Sequence, residues 1–234
     1  MAFSQEVMRE NVQLIREKMA QAARGAGRKP EEILLCAASK VQSAETVALA
    51  RGLDIDLFGE NRVQELTQKH EAGAYGDKPV HMIGHLQTNK VRQTVGCAAM
   101  IQSVDSVRLL EAIDAEAQRK GIRQDILLEI NIGGEESKSG VSPGEVWAIL
   151  EKAAQCPAVC VRGLMSIPPV AEKEGQNRRY FSEMRQLFVD IATKKYDNIS
   201  MDFLSMGMSA DFEDAILEGA NIVRVGTAIF GRRY

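Results

Sequence analysis

The stretch that decides the fold runs DILLEINIGGEESKSGVSPGEVWAILEKAAQCPAVCVRGLMSI, residues 125–167. Its two ends, Asp125–Ile132 and Val159–Ile167, are continuous apolar runs that read as strands buried on both faces. Between them, Pro143–Ala154 reads as a helix. It is introduced by Ser142-Pro143-Gly144-Glu145, a capping box with proline at the first helical position. Strand, helix, strand in that order is the unit of a parallel sheet whose faces are covered by helices.

The unit repeats in both directions. Strands are predicted at Ile33–Ser39, Asp56–Gly59, Val80–Gly84 and Met100–Val104 upstream, and at Met201–Met206 and Ile222–Ile229 downstream. Helices fall between them at Ala44–Arg51, Arg62–Ala72, Asn89–Val95, Val107–Lys120, Asn177–Lys195 and Asp211–Glu218, with Gly52, Gly121 and Gly219 at helix ends. Ahead of the first strand, Val7, Met8, Val12, Ile15 and Met19 recur at helical spacing behind a Ser4 cap, and Gly25 with Pro30 closes the element. Eight strands in 234 residues fit a single (β/α)8 barrel of the TIM type spanning 1–234, with an additional N-terminal helix in the place of a helix missing after strand eight. The rival, an open doubly wound sheet, lacks its fingerprint, because the first strand–helix turn reads SKVQSAE at 39–45 rather than G-x-G-x-x-G.

Composition excludes several classes. With 29 Lys and Arg against 32 Asp and Glu, the net charge is −3, without the electrostatic footprint of a nucleic-acid binder. Arg178, Arg179, Arg185, Lys194 and Lys195 read as the wet face of an amphipathic helix. No apolar run reaches the ~18–20 residues of a membrane helix. The first residues, MAFSQEVMRENVQ, carry acidic side chains where a signal peptide is apolar, so a cytoplasmic protein is expected. Four cysteines are too few for a disulfide framework: Cys36 and Cys160 sit in apolar runs as buried thiols, and Cys156 with Cys160 makes CxxxC rather than CxxC. His70, His81 and His85 show no metal-ligand spacing, so no metal is expected. A mildly acidic barrel without an exposed apolar stripe is compatible with a monomer.

In a parallel barrel, chemistry gathers where the strands end. Strand seven ends at Met206-Gly207-Met208-Ser209, and strand eight carries Gly226-Thr227. These are the loops that commonly hold phosphate, with Ser209 expected to cap the next helix. Lys40 ends the first strand, ILLCAAS. Partial desolvation there favours the free amine, a nucleophile toward an aldehyde or ketone, whereas on a bland surface the same lysine snorkels. Arg224 lies inside strand eight on the face of Gly226 and needs an acceptor, either Glu129 or a bound heterocycle. Together these features suggest a phosphorylated carbonyl ligand. Pyridoxal 5′-phosphate (PLP) and the substrate of a sugar-phosphate Schiff-base aldolase both satisfy that description.

The residues AASK at 37–40, FGENRVQE at 58–65, HMIGHLQTNK at 81–90, NIGGEESKSG at 131–140, VRGLMSIPP at 161–169, LSMGMSADFEDAI at 204–216 and VRVGTAIFGRR at 223–233 occur in an order that resembles the pyridoxal phosphate homeostasis protein family, relatives of the alanine racemase N-terminal domain. The resemblance implies the same barrel and PLP held as an internal aldimine on Lys40. It also implies phosphate on Ser209, Gly226 and Thr227, with Gly207 in the supporting turn, and Arg224 facing the pyridine nitrogen. Asn61 and Lys138 would line the ring side of the pocket. Racemases of that kind add a second domain that delivers a tyrosine base and carry a histidine after strand six. This sequence reads Met165-Ser166-Ile167-Pro168 there and ends at Tyr234. The expectation is therefore PLP binding, buffering or delivery, with PLP-dependent apoenzymes as recipients and without catalytic turnover. A PLP-dependent amino-acid racemase is the alternative.

Overall fold

A computed structural model describes residues 4–135, 138–171, 173 and 175–231. Glu136, Ser137, Arg232 and Arg233 of the family-like stretches lie outside the described residues. Eight parallel strands close into a barrel in chain order. They are β1 (Leu34–Ala38), β2 (Leu57–Glu60), β3 (Val80–Met82), β4 (Met100–Val104), β5 (Gln124–Ile130), β6 (Val159–Ser166), β7 (Ile199–Met208) and β8 (Ile222–Val225). Closure comes from β1 pairing with β8, Leu34 opposite Ile222 and Cys36 opposite Arg224. Around it lie α1 (Gln5–Gly25), α2 (Ala44–Ala50), α3 (Val63–Glu71), α4 (Val91–Thr94), α5 (Val107–Lys120), α6 (Val146–Ala153), α7 (Arg178–Ala192), α8 (Phe212–Leu217) and α9 (Thr227–Phe230).

The pleat divides each strand between two cores. Leu35, Ala37, Ile101, Leu128, Val161 and Val223 join the large cluster shared with the helices. Their neighbours Cys36, Ala38, Leu57 and Ile222 form a separate, smaller cluster, and Met100, Leu127 and Met165 form another. Burial pushes the Cys36 thiol up to about 12. Cys160, expected buried, is only partly so. On α7 the expected division holds, with Phe181, Met184, Phe188 and Ile191 inward and Arg178, Arg179 and Arg185 exposed.

Three local expectations are corrected. Strand eight stops at Val225, and the apolar run beyond it coils into α9, whose Ile229 and Phe230 amides both reach Gly226 O at 2.9 Å. A short apolar run does not distinguish strand from buried helical turn. The position after β8 is therefore filled. Helix α1 packs on α8 and α9, and Asn11 Nδ2 donates to Ile229 O at 3.1 Å. Helix α6 begins at Val146 rather than Pro143. Ser142 gives its hydroxyl to the Glu145 carboxylate at 2.5 Å, and residues 142–145 close a turn instead of a cap.

Register is regular across β8–β1–β2–β3–β4 and shifts at every pairing from β4/β5 round to β7/β8. Gly163 marks one shift. Its φ is +145°, and a Cβ there would sit 1.9 Å from Phe203 O.

Candidate functional site

The strand ends of β1, β2, β7 and β8 surround a cavity of about 240 Å³. Lys40, Asn61, Ser209, Arg224, Gly226 and Thr227 all line it. Ala38, Ile83, Ile167 and Met208 supply an apolar wall that sequence reasoning did not assign, since nothing separates them from other core residues in an apolar run.

At one end, β7 meets α8. Gly207 has φ +90°, and a Cβ on it would fall 2.5 Å from Ala215 Cβ and 3.0 Å from Phe212 Cα. Gly207 thus works behind the wall, letting α8 close on the strand. Ser209 does not cap that helix. Its Oγ accepts the Gly226 amide at 3.3 Å and joins the two loops. Asp211, the residue before α8, makes the local turn instead, accepting Met208 N–H at 2.8 Å and Asn177 Nδ2 at 2.8 Å. Gly226 passes close to β1, where an added Cβ would meet Ala38 O at 3.0 Å.

Arg224 forms the floor. It is 4% exposed and donates from Nη1 to Ser205 Oγ at 2.6 Å and from Nη2 to Ser166 O at 2.8 Å. The expected acceptor Glu129 is not a direct partner. Its charge, like that of Asp211, acts on the guanidinium at longer range. Buried Glu129 has an Oε2 without a hydrogen-bond partner among the described residues, and burial, followed by the nearby Asp105 charge, pushes its carboxyl up to about 7. Behind Arg224, Ser205 Oγ donates to Gln102 Oε1 at 2.6 Å, and Gln102 Nε2 lies 2.8 Å from His81 Nδ1. Burial holds His81 down to about 4. Sequence reasoning passed over this chain. Its signal was Gln102 and Ser205 standing as polar residues inside buried strands.

Lys40 is half-buried, two residues beyond β1, and Asn61 faces it from the end of β2. Lys138 does not line the cavity. Its Nζ donates to Pro168 O at 3.1 Å and pairs with Glu135.

This arrangement offers a primary amine, a buried cation bonded to neutral acceptors, an apolar wall, and a hydroxyl-and-amide cradle fed by two strand ends. A buried cation calls for an acceptor from whatever fills the space. A flat heterocycle with a ring nitrogen, an aldehyde and an anionic arm matches those features.

The family model described as alanine racemase, N-terminal domain, matches residues 4–233. A pyridoxal phosphate homeostasis protein of Aquifex aeolicus is 42% identical over 224 residues, covering 96% of this chain and 97% of that protein. The crystal structure of an unknown protein from Bifidobacterium adolescentis superposes with a TM-score of 0.90 at 35% identity, covering 97% of this chain and 95% of that one. PipY of Synechococcus elongatus, solved with PLP bound, gives a TM-score of 0.78 at 32% identity over 91% of this chain and 100% of that one.

Proposed function

Since the chain belongs to the alanine racemase N-terminal domain family, and within it to the pyridoxal phosphate homeostasis proteins, we propose that its cavity binds PLP and that the protein serves PLP homeostasis by holding, buffering or delivering that cofactor. The observation that carries this is the convergence of Lys40, Arg224, Ser209, Gly226 and Thr227 on one cavity. Bound there, PLP would supply an aldehyde able to form a reversible covalent bond with a primary amine.

Lys40 is the amine. Ser209, the Gly226 backbone and Thr227 receive the phosphate. Arg224, kept cationic by its high intrinsic basicity and oriented by two neutral acceptors, donates to the ring nitrogen and holds it unprotonated. Asn61 flanks the ring beside the apolar wall. Lys138, engaged at Pro168, stands outside the cavity lining. Amino-acid racemisation needs a proton-transfer partner on each face of the substrate, and Lys40 is the one amine among the described lining residues. That supports binding without turnover. We read the barrel as one domain acting as a cytoplasmic monomer that passes cofactor to PLP-dependent apoenzymes. No helix among the described residues is long and apolar enough to cross a membrane.

Adding PLP to the cofactor-free protein is expected to produce a visible absorption band that borohydride abolishes, leaving the reduced adduct on the Lys40 peptide by mass spectrometry. Lys40→Ala loses the band and retains part of the phosphate-anchored binding. An unchanged spectrum in that variant, or an adduct elsewhere, overturns the assignment. Enzyme-like exchange of α-hydrogens of enantiopure amino acids in deuterated water favours the racemase reading instead.

A further inference from the structure

We infer that Lys69 and Glu65 of α3, together with Glu60 of β2, are positioning residues that clamp the backbone on both sides of Lys40 and aim its amine into the cavity. The inference rests on the reading of Lys40 given above. Ser39, directly before Lys40, is wholly buried. Its carbonyl accepts from Lys69 Nζ at 2.8 Å, and its hydroxyl donates to Glu60 Oε1 at 2.6 Å. The same ammonium donates to Glu60 Oε1 at 2.8 Å and to Glu65 Oε2 at 3.3 Å. Glu65 Oε2 in turn accepts the amide of Val41, directly after Lys40, at 2.6 Å. One ammonium therefore fixes the residue before the amine directly and the residue after it through one carboxylate.

Two features set this apart from ordinary packing. A buried ion pair adds little net stability over apolar side chains of similar volume, so the Lys69–Glu60 pair, 5% and 0% exposed, points to geometry rather than cohesion. Val41 also has φ +62°, the left-handed region that a β-branched residue avoids, and it is the one non-glycine residue in that region among those described. Such strain persists only where surroundings over-determine the conformation. Here the Glu65 carboxylate holds the Val41 amide, and the chain turns so that Lys40 faces Ser209 and Arg224 across the cavity.

The reaction that depends on this aim is condensation. Lys40 Nζ adds to the aldehyde carbon, the carbonyl oxygen leaves as water with both amine protons, and a C=N bond replaces C=O without any change of oxidation state. Reaction rates fall steeply when reacting groups are displaced by about an ångström.

The test follows the visible band by stopped flow after PLP is mixed with cofactor-free protein, alongside equilibrium dialysis for total binding. Glu65 has a partly exposed side chain, and Lys69 keeps Glu60 as its partner, so Glu65→Ala is expected to leave the fold standing. It is expected to slow band formation roughly tenfold while total binding changes far less, and to speed amide exchange at Val41. Glu65→Gln, which retains an acceptor for the Val41 amide, restores most of the rate. Glu65→Ala at the wild-type rate, or Glu65→Gln as slow as Glu65→Ala, overturns the clamp. A wild-type protein without a borohydride-sensitive band overturns the reading of Lys40, and the clamp's purpose with it.

Discussion

Each donor behind Arg224 points the same way, from guanidinium to Ser205 hydroxyl to Gln102 amide to His81 ring. An amide NH₂ can only donate, so His81 Nδ1 accepts and the ring proton sits on Nε2. Nitrogen NMR of the cofactor-free protein should show that tautomer, neutral until the pH approaches about 4. Gln102→Leu would strand the Ser205 hydroxyl and His81 Nδ1 inside the barrel. The expected cost is about 1–3 kcal/mol in urea unfolding and, on the function proposed above, weaker PLP binding, because the Ser205 hydroxyl that receives Arg224 loses its own acceptor.

At the scale of the strand–helix unit, closeness between backbones matters more than propensity. Gly207→Ala would place a methyl against Ala215 at 2.5 Å and force a left-handed φ on alanine, an expected loss of roughly 2–4 kcal/mol. Gly144→Ala, with nothing within 4 Å, should move the urea midpoint very little. The alternation of elements was legible because periodicity reports which face is buried, and most ends fall within a few residues of those expected. What escaped were choices among equivalent local chemistries. Ser209 and Asp211 both offer an oxygen before α8, and only tertiary packing selects Asp211 for the turn and turns Ser209 toward Gly226. Thr227 to Phe230 could extend a strand or coil, and the Gly226 carbonyl decides by taking two amides. In the site, Lys40, Arg224 and Gly226 stood out as unusual residues at strand ends. Lys69 did not, because a lysine on a polar helix carries no mark of where its amine goes.

For the molecule as a whole, two buried groups give opposite pH dependences. Glu129, pushed up to about 7 from 4.5, binds a proton more tightly when folded. Its share of stability is present below about pH 4.5 and is lost as pH rises through about 7. His81, held down to about 4 from 6.5, does the reverse: its share is present above about pH 6.5 and is lost as pH falls through about 4. Each is worth up to roughly 3 kcal/mol, and over the shared window the slopes largely offset. Urea midpoints measured across that range should therefore be flatter for the wild type than for either variant. Glu129→Gln should climb with pH, and His81→Asn, which preserves an acceptor for Gln102, should decline.

The cavity also straddles the seam where β8 closes against β1, drawing Lys40 from the beginning of the barrel and Ser209, Gly226 and Thr227 from its end. A nascent chain emerging from the ribosome thus carries Lys40 early, but the rest of that lining is not assembled until the last strand has docked. On the function proposed above, cofactor capture would wait for the finished barrel.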